Sequence, residues 1–217
     1  MPNPAIRAVL WDFGGVVTES PFVAFRAFER AHHLPDGFLR SVNSRNPDGN
    51  AWARLERGEL TAEGFDQAFA EESRALGHEV RGLDVVDLVF GPVRPMMLDA
   101  IRRCKRHFIT ACLTNNMQPG GRRGLERRPE LERDWHSALS LFDQVIESSK
   151  VGVRKPEPRF FELACAHLEV EPPQAVFLDD LGINLKPAQA MGMHTIKVAE
   201  PQAALRELSS LLQISLQ

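Results

Sequence analysis

The stretch Ala5-Ile6-Arg7-Ala8-Val9-Leu10-Trp11 runs directly into Asp12-Phe13-Gly14-Gly15-Val16-Val17. A short apolar run that stops at a carboxylate and a glycine pair reads as a buried strand breaking into a turn. Open α/β sheets carry their reactive groups at the carboxyl ends of their strands. Asp12 is therefore the first candidate for a functional carboxylate. The glycines allow the backbone to come close to a ligand and to adopt positive φ. An aspartate beside glycine is also ordinary turn chemistry, so the reading depends on what the rest of the chain adds.

Four further β-rich runs follow: Phe108 to Leu113, Gln144 to Ile146, Ala175 to Leu178 and Thr195 to Val198. Helix-period segments lie among them, at Pro95 to Lys105, Arg159 to His167 and Leu185 to Ala190. Strands alternating with helices predict an α/β fold, a doubly wound parallel sheet with a Rossmann-like core. The first two strands stand about 100 residues apart, far beyond a normal connection. Much of that gap has helical spacing: Phe22, Phe25 and Phe28 recur on one face, as do Ala24, Ala27 and Ala31, and Leu60 to Phe69 is a second candidate helix. Thr61 with Gly64 lacks the Glu that would complete a capping box, since Glu63 lies one position early. The expected organisation is a core of residues 1–18 and 93–217 with a helical cap, residues 19–92, inserted after the first strand.

The 217 residues suit one generous domain or a core with an insertion. With 26 basic against 29 acidic residues the net charge is −3, which favours neither nucleic acid nor an anionic membrane surface. Three cysteines, Cys104, Cys112 and Cys165, have no metal spacing and read as small buried groups in a reducing compartment. No apolar run approaches the roughly 20 residues of a spanning helix. Arg7 and Asp12 interrupt what would be the core of a signal peptide. A cytoplasmic location follows by default, and the oligomeric state is not legible. Arg122, Arg123, Arg127, Arg128 and Arg133 lie between Met117 and Arg133. With Glu126, Glu130 and Glu132 beside them they read as a solvated face, not an anion-binding loop.

Three later segments add compatible chemistry. The second strand ends in Leu113-Thr114-Asn115-Asn116, where a hydroxyl and the following backbone N–H groups can hold an anionic oxygen. Ser148-Ser149-Lys150-Val151-Gly152-Val153-Arg154-Lys155-Pro156-Glu157-Pro158 brings lysines to the mouth of a helix, with Pro156 expected near its first position. The fourth strand ends in Val176-Phe177-Leu178-Asp179-Asp180. Paired carboxylates repel each other unless a cation or donors compensate, and hard oxygen ligands of this kind suit Mg²⁺.

These four motifs in this order, with a cap-sized insertion after the first, resemble the haloacid dehalogenase-like hydrolase superfamily over nearly the whole chain. Two segments, Val151 to Pro158 and Val176 to Ala188, are more narrowly similar to the phosphatase domain at the N-terminus of soluble epoxide hydrolases. The chain ends at Gln217, so the epoxide-hydrolysing domain of those proteins is not expected here.

The resemblance implies a small phosphorylated substrate and roles position by position. Asp12 would be the nucleophile, forming an aspartyl-phosphate. Thr114 and the backbone around Asn115 would bind the phosphoryl group, and Lys155, rather than Lys150, would steady Asp12 and the phosphoryl charge. Mg²⁺ would lie between the Asp12 carboxylate, the Gly14 carbonyl and Asp180, with Asp179 assisting. Asn184 is placed to orient the acidic loop or to cap the next helix. Gly14 departs from the pattern, because phosphatases of this superfamily usually carry there an aspartate that protonates the leaving group. Glu19 is a substitute within sequence reach. A dehalogenase, which needs no such acid, and a non-catalytic binding module remain open alternatives.

Overall fold

A computed structural model describes residues 1–117 and 123–216. Strand β1 (Ala8–Trp11) leads into a helical segment made of α1 (Pro21–Ala31), α2 (Phe38–Ser44), α3 (Ala51–Glu56), α4 (Ala62–Arg74) and α5 (Gly82–Val86). Then follow α6 (Pro95–Cys104), β2 (Ile109–Thr114), α7 (Arg123–Glu126), α8 (Pro129–Leu139), β3 (Gln144–Glu147), α9 (Ser148–Val151) and α10 (Pro158–Leu168). β4 (Ala175–Asp179), α11 (Gly182–Ala190), β5 (His194–Lys197) and α12 (Pro201–Leu212) complete the chain. Among the described residues the strands form one parallel sheet in the order β3-β2-β1-β4-β5. Each predicted strand is present, with ends shifted by one or two residues.

The sheet is covered on both faces, which is why β1 and β4 are apolar without alternation. Val9, Trp11, Cys112, Val176 and Leu178 face α6 and α12 through Met97, Ile101, Leu205 and Leu208. Ala8, Leu10, Ala111, Leu113 and Phe177 face α10 and α11 through Phe160, Phe161, Leu185 and Ala188. Each fully buried large side chain contributes about 1.5–3 kcal/mol. The three cysteines are buried and unpaired, and burial pushes the Cys104 thiol up to about 12.

The helical segment has an apolar cluster of its own, including Phe25, Leu39, Leu55, Phe65, Phe69, Val85 and Phe90, which Met117 and Leu125 join from beyond β2. Thr61 Oγ1 accepts from the Gly64 N–H at 3.1 Å and caps α4 without the Glu of a capping box. The chain leaves and returns side by side: Thr18 bridges Val93, and the Arg94 N–H donates to the Val17 carbonyl at 2.8 Å.

One detail is corrected. Helix α10 begins at Pro158, not at Pro156, so Lys155 lies in the turn before it. Two prolines compete for the first helical position, and spacing alone does not choose between them. In the arginine-rich stretch, Arg127 and Arg133 are exposed and Arg128 is spent on the Gly124, Asp87 and Phe90 carbonyls. Arg122 and the Arg123 side chain lie outside the described residues.

Candidate active site

Asp12 follows the last residue of β1 and is held there by two bonds. Its N–H donates to the Leu178 carbonyl at 2.8 Å, and its Oδ1 accepts from the Phe13 N–H at 2.7 Å. Gly14 has φ −69° and ψ 125°, extended backbone open to any residue, and a Cβ placed on it would meet nothing within 4 Å. Gly15 is the constrained glycine. Its φ is 81°, and a Cβ there would stand 2.3 Å from Asp180 Oδ2. The second glycine thus makes room for the acidic loop, while the first is conformationally dispensable.

Trp11 stands opposite both Cys112 and Leu178, so Asp12, Thr114, Asp179 and Asp180 gather at one edge of the sheet. Lys155 reaches the same edge from the turn before α10. It is 1% exposed, and its Nζ lies 2.7 Å from Asp12 Oδ1 and 2.9 Å from Asp179 Oδ2. Burial works to lower the Lys155 pKa, but the two carboxylates outweigh it and hold the ammonium above its ordinary value. Lys150 is elsewhere in function: its side chain is 70% exposed and pairs with Glu147. Glu19 is exposed as well.

The two acidic residues after β4 differ. Asp179 is fully buried and saturated, accepting from Lys155, from the Leu181 N–H at 2.8 Å and from Asn184 Nδ2 at 3.1 and 3.0 Å. Asn184 therefore orients the acidic loop. Asp180 is half-buried, and its carboxyl is pushed up to about 6 by burial and by Asp179, against the pull of Lys155 and Arg94. The Asp12 pKa is also raised, chiefly by burial, with Lys155 opposing and Asp179 and Asp180 adding to it. One oxygen from each of Asp12, Asp179 and Asp180 lies within 4.8 Å of the others. Three crowded carboxylates compensated by one ammonium fit a hard divalent cation such as Mg²⁺.

Thr114 is half-buried at the end of β2, with Oγ1 3.4 Å from the Asn115 carbonyl. The Asn115 side chain grips Lys155: Oδ1 accepts from its N–H at 2.9 Å and Nδ2 donates to its carbonyl at 2.9 Å. That leaves the Asn115 backbone N–H, not its amide, as the group available to an anion. A residue that sequence reasoning missed completes the surroundings. Glu56 of α3 meets Asn115 at 3.1 Å and Arg154 at 2.5 Å. Nothing in the local pattern separates Glu56 from the other charged residues of its helix.

The buried bridge makes a first prediction. Lys155→Ala should cost about 3–5 kcal/mol of stability, because it leaves carboxylates buried without their cation. Lys150→Ala should stay within about 0.5 kcal/mol of the natural protein, as surface substitutions do. Chemical denaturation of both variants measures this, and the reverse order would overturn the assignment of Lys155 as the structural cation of the site.

The family model for the haloacid dehalogenase-like hydrolases matches residues 6–192. The chain is 37% identical to acyl-CoA dehydrogenase family member 10 of Mus musculus over 95% of its own length and 19% of that protein. It is 34% identical to bifunctional epoxide hydrolase 2 of the same species over 94% of the chain and 38% of the relative. The chain thus spans between about a fifth and two fifths of these relatives. It is 25% identical to the sesquiterpene phosphatase astK of Aspergillus oryzae over 95% of the chain and 96% of that protein. A HAD family enzyme of Bacteroides thetaiotaomicron, solved with magnesium and inorganic phosphate, superposes with a TM-score of 0.58 at 20% identity, covering 88% of this chain and 93% of that one.

Proposed function

This chain belongs to the haloacid dehalogenase-like hydrolase family, and on that premise we propose that it is a phosphatase that hydrolyses a small phosphomonoester through Asp12. Its phosphatase relative supports the reaction class. The observation that carries the reading is the Lys155 ammonium, buried between Asp12 and Asp179 at 2.7 and 2.9 Å. A carboxylate fixed in this way, with one oxygen on the lysine, presents the other to an incoming electrophile.

In this reading Asp12 Oδ2 attacks phosphorus, the ester P–O bond breaks, and the alkoxide leaves. Water then cleaves the aspartyl-phosphate to release inorganic phosphate. The Thr114 hydroxyl and the Asn115 backbone N–H hold the phosphoryl oxygens, and Lys155 offsets charge on both Asp12 and the phosphoryl group. Asp179 keeps Lys155 in place, so Asp12, Asp180 and the Gly14 carbonyl are the groups assigned to Mg²⁺. When bound, the cation would supply the positive charge that a phosphate dianion beside these carboxylates requires. We assign residues 19–92 as the cap over this edge and residues 1–18 and 93–217 as the core.

Gly14 gives the reaction no side-chain proton. The same absence suits attack on carbon with loss of halide, so two assays decide. Metal-stimulated phosphate release from an aryl phosphate, without halide release from a 2-haloacid, is the expected pattern. Halide release alone would replace the phosphatase reading with a dehalogenase, and activity in neither assay would favour a binding module.

The metal assignment has its own test. Calorimetric titration should show Mg²⁺ binding to the natural protein and a loss of at least tenfold in affinity for Asp180→Asn. Binding should also weaken as the pH falls below about 6, where Asp180 takes up a proton that competes with the cation. Equal binding by both proteins would remove Asp180 from the site.

A further inference from the structure

Helix α3 ends in Glu56, whose carboxylate reaches out of the helical segment and into the turn that carries Lys155. Its Oε2 accepts from Arg154 Nε at 2.5 Å and from Asn115 Nδ2 at 3.1 Å, and its Oε1 accepts from Trp52 Nε1 at 2.9 Å. The Glu56 and Arg154 side chains are only 12% and 16% exposed. We propose that Glu56 is a positioning residue that couples the seating of the helical segment to the aim of the Lys155 ammonium.

A side-chain amide has two N–H donors and one carbonyl oxygen. In Asn115 the oxygen takes the Lys155 N–H, one donor goes to the Lys155 carbonyl, and the other goes to Glu56. A flipped amide would set its oxygen against a carboxylate and its nitrogen against an N–H. The Glu56 charge therefore fixes which way Asn115 faces, and Asn115 fixes the Lys155 backbone. Arg154, the residue before Lys155, is gripped by the same carboxylate and by the Pro47 carbonyl at 3.1 Å. One oxygen of Glu56 thus restrains the lysine from its neighbour in the chain and from its partner across the turn.

The other end of this linkage is anchored in the helical segment. Trp52, which holds Glu56 Oε1, packs its ring against Phe25, Phe65 and Phe69. Movement of the segment away from the sheet edge withdraws the carboxylate and releases Asn115 and Arg154 together. A misplacement of about 1 Å in a catalytic group can cost as much as 10²-fold in rate. The site then has its lysine fully aimed only while the segment is seated.

A second ion pair ties the same two parts and supplies the control. Arg57 Nε meets Glu157 Oε1 at 2.8 Å, and its other polar partners are Glu59 and the Asp48 carbonyl, not Asn115 or Lys155. Arg57→Ala removes this one pair and leaves the Glu56 bonds to Asn115 and Arg154 that hold the segment seated, whereas Glu56→Ala removes the linkage itself.

The catalytic consequence rests on the phosphatase reading, so one measurement is independent of turnover. Hydrogen exchange at the Lys155 amide reports the clamp directly, because that N–H is the one Asn115 accepts. Glu56→Ala should raise this exchange at least tenfold and Arg57→Ala should leave it near the natural rate. In steady-state assays with an aryl phosphate, Glu56→Ala should lower kcat by about ten- to a hundredfold with KM changed less than threefold, in keeping with a misaimed group. Arg57→Ala should keep kcat within about threefold, the scale of change expected when no catalytic group moves. Glu56→Gln, which keeps one acceptor and the shape, should fall between, and it replaces the alanine variant if that one does not fold. Unchanged Lys155 exchange in Glu56→Ala or Glu56→Gln would overturn the proposal. Equal losses of kcat in the Glu56 and Arg57 variants would reduce Glu56 to a docking contact. Raised exchange in a protein that releases no phosphate would uphold the linkage and reject the phosphatase reading.

Discussion

Asp12→Asn is expected to fold normally and to lose phosphatase turnover by a factor of order 10⁴ or more, the scale seen when a nucleophile is removed. The amide keeps the size of the carboxylate and can still accept from the Phe13 N–H, which now lies 2.7 Å away. Lys155 keeps its second partner, Asp179, at 2.9 Å, so no buried charge is orphaned. What is lost is the oxygen that would bond to phosphorus. Stability should move the other way. Burial, with the neighbouring acids, raises the Asp12 pKa despite Lys155. The folded state then holds the proton more tightly than the unfolded chain does, so ionisation of Asp12 costs stability as pH rises above the ordinary carboxylate value. Asparagine removes that cost. Metal-free Asp12→Asn should therefore melt no lower than the natural protein at neutral pH, and the difference should shrink as pH falls toward the ordinary carboxylate pKa. Thermal melts in chelator and turnover assays check the two halves. Retained turnover in a folded variant would sink Asp12 as the nucleophile.

Gly14→Asp is expected to raise the turnover of alkyl phosphates by about 10²–10⁴-fold, the usual worth of a general acid. The ester-cleaving step of aryl phosphates should change little, because a nitrophenolate leaves without a proton while an alkoxide does not. The backbone permits the change: φ is −69°, and the space around a Cβ is open. Replacing a glycine whose angles suit other residues also restricts the unfolded chain, a gain of about 0.4–1 kcal/mol in favourable cases. In the natural protein the missing acid should leave a steep dependence of rate on leaving-group pKa. Slow hydrolysis of the aspartyl-phosphate should appear, with aryl phosphates in excess over enzyme, as a burst of released phenol before the steady state. Rates independent of leaving-group pKa and free of a burst would show that another residue supplies the proton, and Gly14→Asp would then bring no gain.

The adjacent glycines show where sequence reading stops. As letters Gly14 and Gly15 are equivalent, and both suggested conformational need. Only Gly15 has positive φ, and only there does Asp180 occupy the space of a Cβ. Asp180 is 165 positions further along the chain, and no local pattern connects the two. The paired aspartates behave likewise. Spacing placed both at a strand end, but hydrogen bonding divides them: Asp179 is saturated by Lys155, Leu181 and Asn184, while Asp180 carries the raised pKa.

The sequence by itself determined the five strands, their alternation with helices, the long helical insertion after β1 and the four motifs at the carboxyl ends of the strands. Those features rest on hydrophobic period and turn chemistry, which act between neighbours in the chain and are written there. The family resemblance carried by those motifs also pointed to Lys155 rather than Lys150. Only the tertiary structure decided that α10 starts at Pro158, that the Asn115 side chain holds a lysine, and that Glu56 of the insertion reaches the same turn. Each of these depends on which donors and acceptors are already satisfied when distant segments meet. That count is a property of the packed chain, because a buried polar group must find its partner wherever the fold has brought one.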